Sequence, residues 1–431
     1  MKRASSREHL DAALARIDDP KGEGKRACLT IYRDTAVREA EAADRRANDG
    51  APLGPLDGVI VTIKDLYDVA GEVTRAGSPA LLLEGKPATA DAPVVARLRA
   101  AGAVIVAKTN MTEFAFSGIG ANPHFGTPGN PADRARIPGG STSGGAIAVA
   151  DGMCAITIGS DTGGSTRIPA ALCGITGFKP SKQRIPTDGA FKLSKTLDSV
   201  GPMAKSVAEC ALADAVMAGE NPEPLESISL AELKIGIAQG APLERLDERN
   251  GTAFESAMTA LGKARARLSY EDLPMLEGMN EVNKKGGLVP AEAYVELKDV
   301  VARHGALIDP NIRVRIERAA SITPQTYQEM LDLRARLCKA MDAQLAGIDV
   351  LAMPTTPIVA PTLAEVADPA EFSRKNAMVL RNTSIGNFFD LTAISLPLPG
   401  RGLPCGLMLI ARNGHDRRLL SIAAAVEKLL A

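Results

Sequence analysis

Residues 58–63 read GVIVTI, and residues 103–107 read AVIVA. Each is a short apolar run rich in β-branched residues, which is typical of a strand that is buried on both faces. Each run is followed by a lysine, Lys64 or Lys108. The segment from Asp91 to Ala101 predicts a helix between them. Strand, helix and strand in this order predict a parallel βαβ unit, and this unit decides the fold class.

The later part of the chain repeats this alternation. Three apolar runs predict strands: residues 234–238, 350–353 and 406–410. Two periodic segments predict helices: the segment from Thr323-Pro324 to Gly347, and Arg417 to Leu430. The polar segment 219–230 is either a linker or a surface crossover loop. Because the alternation persists to the end, one α/β unit is favoured over separate domains.

The N-terminal segment predicts two helices on the outside of the fold. Ser5 and Glu8 have the spacing of a capping box and precede an apolar stripe. Asp34 precedes a second, alanine-rich stretch that ends at Asp49-Gly50.

The charge balance argues against a nucleic-acid or membrane partner. The 431 residues include 50 Lys and Arg against 51 Asp and Glu, a formal net charge of -1. A face that attracts phosphates would need a clear excess of cations. Aromatic residues make up only 3%, so a stacking platform for single strands is not expected either. We therefore expect a small-molecule partner.

The sequence contains no metal-binding, redox or targeting motif. The six cysteines are at least 19 residues apart and the four histidines are scattered, so neither a CxxC pair nor an HExxH motif occurs. The N-terminal residues lack the apolar core of a signal peptide, and no apolar run is long enough to span a bilayer. We expect no metal, no organic cofactor and a cytoplasmic location.

Two clusters of glycine and serine are the strongest candidates for a functional site: residues 138–145 (PGGSTSGG) and 159–167 (GSDTGGSTR). They bracket a segment that predicts a buried strand. Successive backbone N–H groups in such a cluster form a concavity that holds an anion, as an oxyanion hole requires. The alternative is a pair of flexible loops.

The clusters do not match the common nucleotide-binding or hydrolase motifs. The sequence has no GxxxxGK[ST] phosphate loop, no GxGxxG fingerprint and no serine in a GxSxG elbow. The remaining possibility is a serine that is activated by a lysine far away in sequence. Lys64, at the end of an apolar strand, is the outstanding candidate. Its alternative role is that of an ordinary strand-end lysine that reaches water.

With these motifs the sequence resembles the amidase signature enzymes over nearly its whole length. The resemblance is carried by residues 58–65, 107–114, 130–131, 138–145, 159–169, 174–180, 353–357, 402–404 and 406–410. It implies an α/β fold in which a large central sheet, mixed but mostly parallel, is flanked by helices on both faces.

The resemblance also implies a single domain over residues 1–431. Four parts are expected within it: N-terminal helices in 1–50, a signature core with the catalytic residues in 58–215, a mainly helical substrate-pocket region in 275–347, and C-terminal strands and a helix in 348–431. The pocket region includes Tyr294, Lys298, His304, Arg313 and Arg315 but shows no pattern that identifies a substrate.

The resemblance assigns a catalytic triad to Lys64, Ser141 and Ser165. Ser165 is implied to be the nucleophile that forms an acyl-enzyme. Ser141, which follows a cis peptide bond in the family, is the implied proton relay, and neutral Lys64 is the implied base. A free lysine has a pKa of about 10.4, and burial must lower it by about 3 units to leave the amine neutral at pH 7.

The residues around the nucleophile have implied supporting roles. Backbone N–H groups of four residues are expected to hold the oxyanion: Thr162, Gly163, Gly164 and Ser165. Asp161 and Arg167 are expected to pair and keep this loop in shape. Thr142 occupies a place that the family often fills with serine, so it is expected to alter the hydrogen bonding near the relay.

Three functions stay open at this point. The first is an amidase that converts a small carboxamide to an acid and ammonia or an amine, with aliphatic, aryl, ureido and indole-acetamide substrates all open. The second is the catalytic A subunit of glutamyl-tRNA amidotransferase, which has the same motifs and passes ammonia to partner chains. The third is a non-enzymatic protein that holds an anion at residues 160–165. A homodimer is also open.

Overall fold

A single mixed β-sheet runs through the protein, which the computed structural model describes over residues 4–431. In that range the sheet has eleven strands: β1 (Cys28–Ile31), β2 (Ile60–Lys64), β3 (Val104–Thr109), β4 (Ile156–Asp161), β5 (Thr176–Lys179), β6 (Ser199–Ala204), β7 (Lys234–Ala238), β8 (Arg267–Glu271), β9 (Val350–Pro354), β10 (Thr392–Pro397) and β11 (Gly406–Ala411). Their order across the sheet is β1-β3-β2-β4-β6-β5-β10-β11-β9-β7-β8.

Helices cover the sheet. The described residues form fifteen α-helices: α1 (Ser6–Asp18), α2 (Gly24–Ala27), α3 (Arg33–Asn48), α4 (Pro79–Glu84), α5 (Pro93–Ala100), α6 (Ser143–Ala150), α7 (Arg167–Cys173), α8 (Val207–Ala218), α9 (Glu248–Lys263), α10 (Met275–Lys284), α11 (Leu288–His304), α12 (Pro310–Glu317), α13 (Pro324–Leu345), α14 (Pro369–Phe388) and α15 (Asp416–Leu430). Within residues 4–431 no helix is both long and apolar enough to cross a membrane.

The strands bury side chains on both faces of the sheet. In β2, Ile60 belongs to the hydrophobic cluster that includes α1, α3 and α6. Its neighbours Val61 and Ile63 belong to the cluster that includes α5, α8 and α15. Because successive side chains of a strand point to opposite faces, these helices must lie on opposite sides of the sheet. The predicted arrangement, a mixed sheet with helices on both faces, is confirmed.

The balance of strand directions differs from the expectation of a mostly parallel sheet. Six strand pairings are antiparallel, and four are parallel. The reason lies in the connections. Residues 398–405 join β10 to β11, and this loop is too short for the crossover that a parallel pair requires. The predicted unit of β2, a helix and β3 is parallel, as expected, with α5 at Pro93–Ala100.

The segment between the two glycine-serine clusters is not a single strand as predicted. It contains α6 at Ser143–Ala150 and only then β4 at Ile156–Asp161. Helix α6 is buried on nearly all sides, so its apolar residues show no 3.6-residue period. Its alanines favour a helix over a strand.

Other predicted elements are confirmed with small shifts of their ends. The capping box of α1 is present, because the Glu8 N–H donates to Ser5 Oγ at 3.1 Å and the Ser5 N–H donates to Glu8 Oε2 at 2.8 Å. Helix α13 begins after the cap Thr323. Residues 219–230 form no regular element and lead from α8 to β7 of the same sheet, so this segment is a crossover loop.

Gly144 allows α6 to approach the backbone of its neighbours, and we expect Gly144→Ala to destabilise the protein. An added Cβ would lie 2.3 Å from the carbonyl oxygen of Ala27 and 2.7 Å from the Asn110 nitrogen. Overpacking of this kind costs about 1–3 kcal/mol. Gly251→Ala in α9 is the matched control, because its Cβ meets nothing within 4 Å. It should stabilise by about 0.5–1 kcal/mol. Urea midpoints of both variants check this prediction, and equal midpoints would contradict it.

Candidate active site

The ends of two neighbouring parallel strands define the site. Strand β2 ends at Lys64, and β4 runs parallel to it, with Ile63 opposite Ile158. Parallel neighbours end at the same edge of a sheet, so the loop that follows β4 lies next to Lys64. This edge therefore brings the first predicted site residue close to the second glycine-serine cluster.

Lys64 is fully buried and contacts two serines. Its Nζ donates to Ser141 Oγ at 2.7 Å and to Ser160 Oγ at 2.9 Å, and none of its surface is exposed. Burial lowers the pKa of Lys64 to about 7, although the carboxylates of Asp161 and Asp198 oppose the shift. The amine therefore exchanges a proton near neutral pH while it touches a hydroxyl group.

Ser141 sits in a tightly packed loop before α6. The peptide bond between Gly140 and Ser141 is cis. The Ser141 carbonyl accepts a hydrogen bond from the Thr112 N–H at 3.0 Å. A side chain at position 140 would lie 2.6 Å from the nitrogen of Gly120, so only glycine fits there. These contacts hold the Ser141 hydroxyl at the Lys64 amine.

Ser165 lies between this loop and a cavity. Its carbonyl oxygen accepts from the Thr142 N–H at 3.3 Å, which joins the two glycine-serine clusters. Its side chain lines the cavity and is 4% exposed. The Ser165 hydroxyl has no hydrogen-bond partner in residues 4–431, so the bond between the Ser141 and Ser165 hydroxyls is not formed in this structure. Lys64 and Ser141 are in direct contact, and Ser165 is their neighbour through the backbone.

Asp161 and Arg167 form a buried ion pair around the Ser165 loop. Arg167 Nη2 donates to Asp161 Oδ1 at 2.9 Å, and Nε donates to Oδ2 at 3.1 Å. Burial alone would raise the pKa of Asp161, but Arg167 outweighs it and holds the pKa below its usual value. Asp161 also accepts from the Thr166 hydroxyl at 2.9 Å. The pair fixes both ends of the loop and does not face the cavity.

The N–H group of Gly164, one of the expected oxyanion donors, already has a hydrogen-bond acceptor. The Gly164 N–H donates to Asp161 Oδ1 at 2.8 Å, so it is committed to the shape of the loop. Over the described part of the chain, the N–H groups of Thr162, Gly163 and Ser165 have no partner. Of the four N–H groups that the sequence predicts as oxyanion donors, only that of Gly164 therefore already has an acceptor in the described range.

Thr142 does not contact the lysine. Its side chain packs against Gly159, where an added Cβ would lie 2.7 Å from Thr142 Oγ1. That hydroxyl is buried and has no partner among residues 4–431. The structure thus gives Thr142 a backbone contact with Ser165 but no place in the hydrogen bonds of Lys64.

Sequence reasoning did not predict the contacts of three polar residues at the site. Ser160 is the second acceptor of Lys64. Asp198 accepts from Thr162 Oγ1 at 2.5 Å, and burial raises its pKa to about 6. Asn387 in α14 donates to Asp161 Oδ1 at 2.9 Å. The one sequence signal that could have revealed any of them is in α14, where two polar residues, Thr383 and Asn387, lie one turn apart on a buried face.

The cavity beside Ser165 has a volume of about 390 Å³. Its lining is mostly apolar, and it includes Phe116, Leu193, Leu197, Leu276, Met279, Leu288, Arg315, Leu380, Arg381, Ile385 and Phe388. Helices α10, α11 and α12 contribute, as the predicted pocket region implies, whereas α13 does not. Helix α14, which the sequence did not assign to the pocket, forms a further wall.

Comparisons with known proteins give the family. The sequence profile of the amidase family matches residues 8–420. The 2-amino-5-chloromuconic acid deaminase of Comamonas testosteroni is 33% identical over 399 residues, which cover 91% of this chain and 86% of that protein. The A subunit of the glutamyl-tRNA(Gln) amidotransferase of Anaeromyxobacter dehalogenans is 34% identical over 470 residues, and the match covers 100% of this chain and 94% of that protein.

A crystal structure of an amidase superposes with a TM-score of 0.88 at 31% identity, covering 100% of this chain and 97% of that chain. The chain belongs to the amidase family and is a hydrolase that acts on amide C–N bonds. The predicted family is confirmed, and the interpretation as a non-enzymatic anion-binding protein is wrong.

Because the pKa of Lys64 is lowered in the folded state, the free energy of unfolding should depend on pH between the folded and the unfolded pKa of this lysine. The variant Lys64→Met should remove this contribution. Between the folded pKa of about 7 and the ordinary value of 10.5, the unfolded lysine binds a proton that the folded one does not. Wild-type stability therefore rises with pH in this window, by about 1.4 kcal/mol per pH unit.

We expect Lys64→Met to be more stable than wild type at pH 7, and the difference to shrink toward pH 10. Urea unfolding of both proteins at several pH values measures it. Lys182→Met, which removes a lysine from the loop after β5, is the control. A Lys64→Met difference that does not change with pH would mean that Lys64 titrates normally.

Proposed function

We propose that this chain hydrolyses the carboxamide C–N bond of a small molecule to an acid and ammonia or an amine, through an acyl-enzyme on Ser165. The observation that supports this most is the buried contact of 2.7 Å between Lys64 Nζ and Ser141 Oγ, beside the cavity that Ser165 lines. A base, a hydroxyl relay and a serine that faces a cavity are what covalent amide hydrolysis requires.

Lys64 acts as the base in this mechanism. With a pKa of about 7, a large fraction of its amine is neutral at neutral pH. Neutral Nζ accepts the Ser141 proton, and Ser141 Oγ accepts the Ser165 proton. The last transfer requires the Ser165 hydroxyl to turn toward Ser141, whose neighbour Thr142 already donates to the Ser165 carbonyl.

Ser165 Oγ attacks the amide carbonyl, and the tetrahedral oxyanion accepts hydrogen bonds from the N–H groups of Thr162, Gly163 and Ser165. Each such donor is worth about 3–4 kcal/mol in a typical oxyanion hole. As the C–N bond breaks, the proton returns from Lys64 through Ser141 to the leaving nitrogen. Water then gives up a proton along the same path, cleaves the acyl ester and restores Ser165.

The size of the cavity supports a small substrate. Its volume of about 390 Å³ is near the lower end of the range of about 300–1,000 Å³ that is typical of small-molecule sites. The name of the Comamonas relative, a deaminase of a muconic acid, agrees with this class of substrate.

The similarity to the amidotransferase protein favours a second candidate function. That relative matches the full length of this chain at 34% identity. In this alternative, the same site would hydrolyse glutamine and pass ammonia to partner chains. Glutamine hydrolysis together with companion subunits that copurify from the native cell would support it. A chain that purifies alone and prefers other amides would exclude it.

Labelling with a fluorophosphonate probe tests the nucleophile. Wild type should label at Ser165, and Ser165→Ala should lose labelling together with at least about a thousandfold of amide turnover. Lys64→Ala and Ser141→Ala should be similarly impaired, because they break the proton path. Ser143→Ala is the matched control, since Ser143 is buried near the site but its hydroxyl has no partner in the described range. Labelling of Ser165→Ala at the wild-type rate would refute the assignment.

The pKa of Lys64 predicts the pH profile of the reaction. Below a pKa of about 7 the amine is charged and cannot accept a proton, so kcat/KM should fall about tenfold per pH unit toward acid. Above that pH it should level off. Initial rates of ammonia release between pH 5 and pH 9 measure this profile. A flat profile through this range would show that Lys64 is not the base.

A further inference from the structure

Strand β8 lies at one edge of the sheet. It is the last strand in the order across the sheet and pairs with β7 in parallel. Within residues 4–431, its other side has no partner strand. An unpaired edge presents backbone N–H and C=O groups that can bond to a strand of another chain. The outer side of β8 is therefore a candidate interaction surface.

Two residues of β8 direct their backbone groups away from the sheet. The Arg267 N–H and the Glu271 carbonyl bond to the backbone on the β7 side, at 2.8 Å and 2.9 Å. Because the direction of the N–H and C=O groups alternates along a strand, Ser269 also faces β7, whereas Leu268 and Tyr270 face outward. Among residues 4–431, no other segment bonds through its backbone to these two residues. Their N–H and C=O groups are free for a partner.

The side chains of the same two residues are exposed. Tyr270 is 77% exposed and Leu268 is 37% exposed, although both are large and mostly apolar. Since they are two residues apart, they lie on one face of the strand. The strand at the opposite edge of the sheet, β1, has no exposed residue. An exposed apolar edge favours association, and β8 carries neither the proline nor the lysine that often prevents it.

The sequence of β8, RLSYE at residues 267–271, is complementary to itself in the antiparallel direction. When two copies pair about Ser269, Arg267 of each copy lies opposite Glu271 of the other, and Leu268 lies opposite Tyr270. Opposite charges and pairs of an aromatic with an aliphatic side chain stabilise antiparallel strands when they face each other directly. All of the side chains that oppose each other in this register are therefore compatible.

The backbone fits the same register. Antiparallel strands alternate between residue pairs that exchange two hydrogen bonds and residue pairs that exchange none. Leu268 opposite Tyr270 forms the bonding pairs, and these are the two residues whose backbone groups face outward. Arg267 opposite Glu271 forms the non-bonding pairs, and their backbone groups already bond on the β7 side. A shift of the register by two residues would keep the bonding geometry but would no longer place Arg267 opposite Glu271.

We propose that the outer side of β8 is a homodimer interface, at which a second copy of the chain adds its own β8 antiparallel and in register about Ser269. A two-fold axis then relates the two copies, as in most homodimers, and the two sheets join into one. The complementary charges favour a second copy over a strand of unrelated sequence. None of the described residues that line the cavity belongs to β8, so this inference does not depend on the proposed function.

The oligomeric state of the full chain in solution tests the interface. Sedimentation equilibrium over a range of micromolar concentrations should show a dimer that dissociates on dilution. A chain that stays monomeric at every concentration would overturn the proposal and would leave the edge of β8 to a partner of another sequence.

Proline at position 270 tests whether the edge of β8 forms the dimer. The Tyr270 N–H faces outward, so Tyr270→Pro removes no bond to β7, and an edge strand tolerates proline at such a position. The dimer would lose one hydrogen bond in each of its two bonding pairs, so the dissociation constant should rise at least about tenfold. Tyr270→Phe is the matched control, because it keeps the N–H and the ring, and it should dimerise like wild type. Unchanged dimerisation of a folded Tyr270→Pro variant would overturn the proposal.

Exchange of the two charges tests the register. Arg267→Glu and Glu271→Arg each place like charges opposite each other across the interface, so each should weaken the dimer. The double variant Arg267→Glu/Glu271→Arg restores opposite charges and should dimerise like wild type. Within one chain, Arg267 contacts Glu232 at 3.0 Å, but both side chains are exposed, so the loss of this contact should hardly affect folding. A double variant that dimerises no better than the single variants would overturn the proposal.

Discussion

The burial of the Lys64 amine against the Ser141 hydroxyl is the constraint on which the rest of the site depends. A lysine at the end of an exposed strand would keep its proton up to a pH of about 10. Here the sheet, α6 and the loop after β4 enclose it completely. The cost of desolvating a charged amine lowers its pKa, and two serine oxygens within 2.9 Å give it defined partners. Burial thus lowers the pKa of a residue type that is common on protein surfaces to about 7, as the proposed role of Lys64 as a base requires.

The buried ion pair of Asp161 and Arg167 limits how strongly the Asp161 carboxylate affects the pKa of Lys64. Asp161 lies close enough to favour the charged form of the lysine. Its negative charge is largely committed to Arg167, to the Gly164 N–H and to Asn387. If the carboxylate were free, it would pull the Lys64 pKa back toward its ordinary value. The ion pair therefore has two effects: it shapes the loop that carries Ser165, and it limits the electrostatic effect of Asp161 on the Lys64 amine.

Local patterns predicted the fold class from the sequence, and together with the family resemblance they predicted that Lys64 and Ser141 lie in contact. The apolar strand that ends at Lys64 and the glycine-serine clusters around Ser141 and Ser165 are short motifs whose meaning does not depend on distant residues. The direction of the central strands and the helical state of α6 were not predictable in this way. The helical state of α6 depends on burial by segments far away in sequence. The antiparallel pairing of β10 with β11 follows from the short connection between them, and the sequence analysis did not predict β10. Asp198 also escaped notice, because its contact with Thr162 appears only in three dimensions.

Direct measurement of the Lys64 pKa tests the account most sharply. Lysine labelled with 13C and 15N at the side chain can be titrated by NMR in wild type, with Lys64→Met used to assign the signal. The titration should show one lysine, Lys64, that loses its proton with a pKa of about 7. A Lys64 signal that stays charged until a pH of about 10, like an exposed lysine, would contradict it.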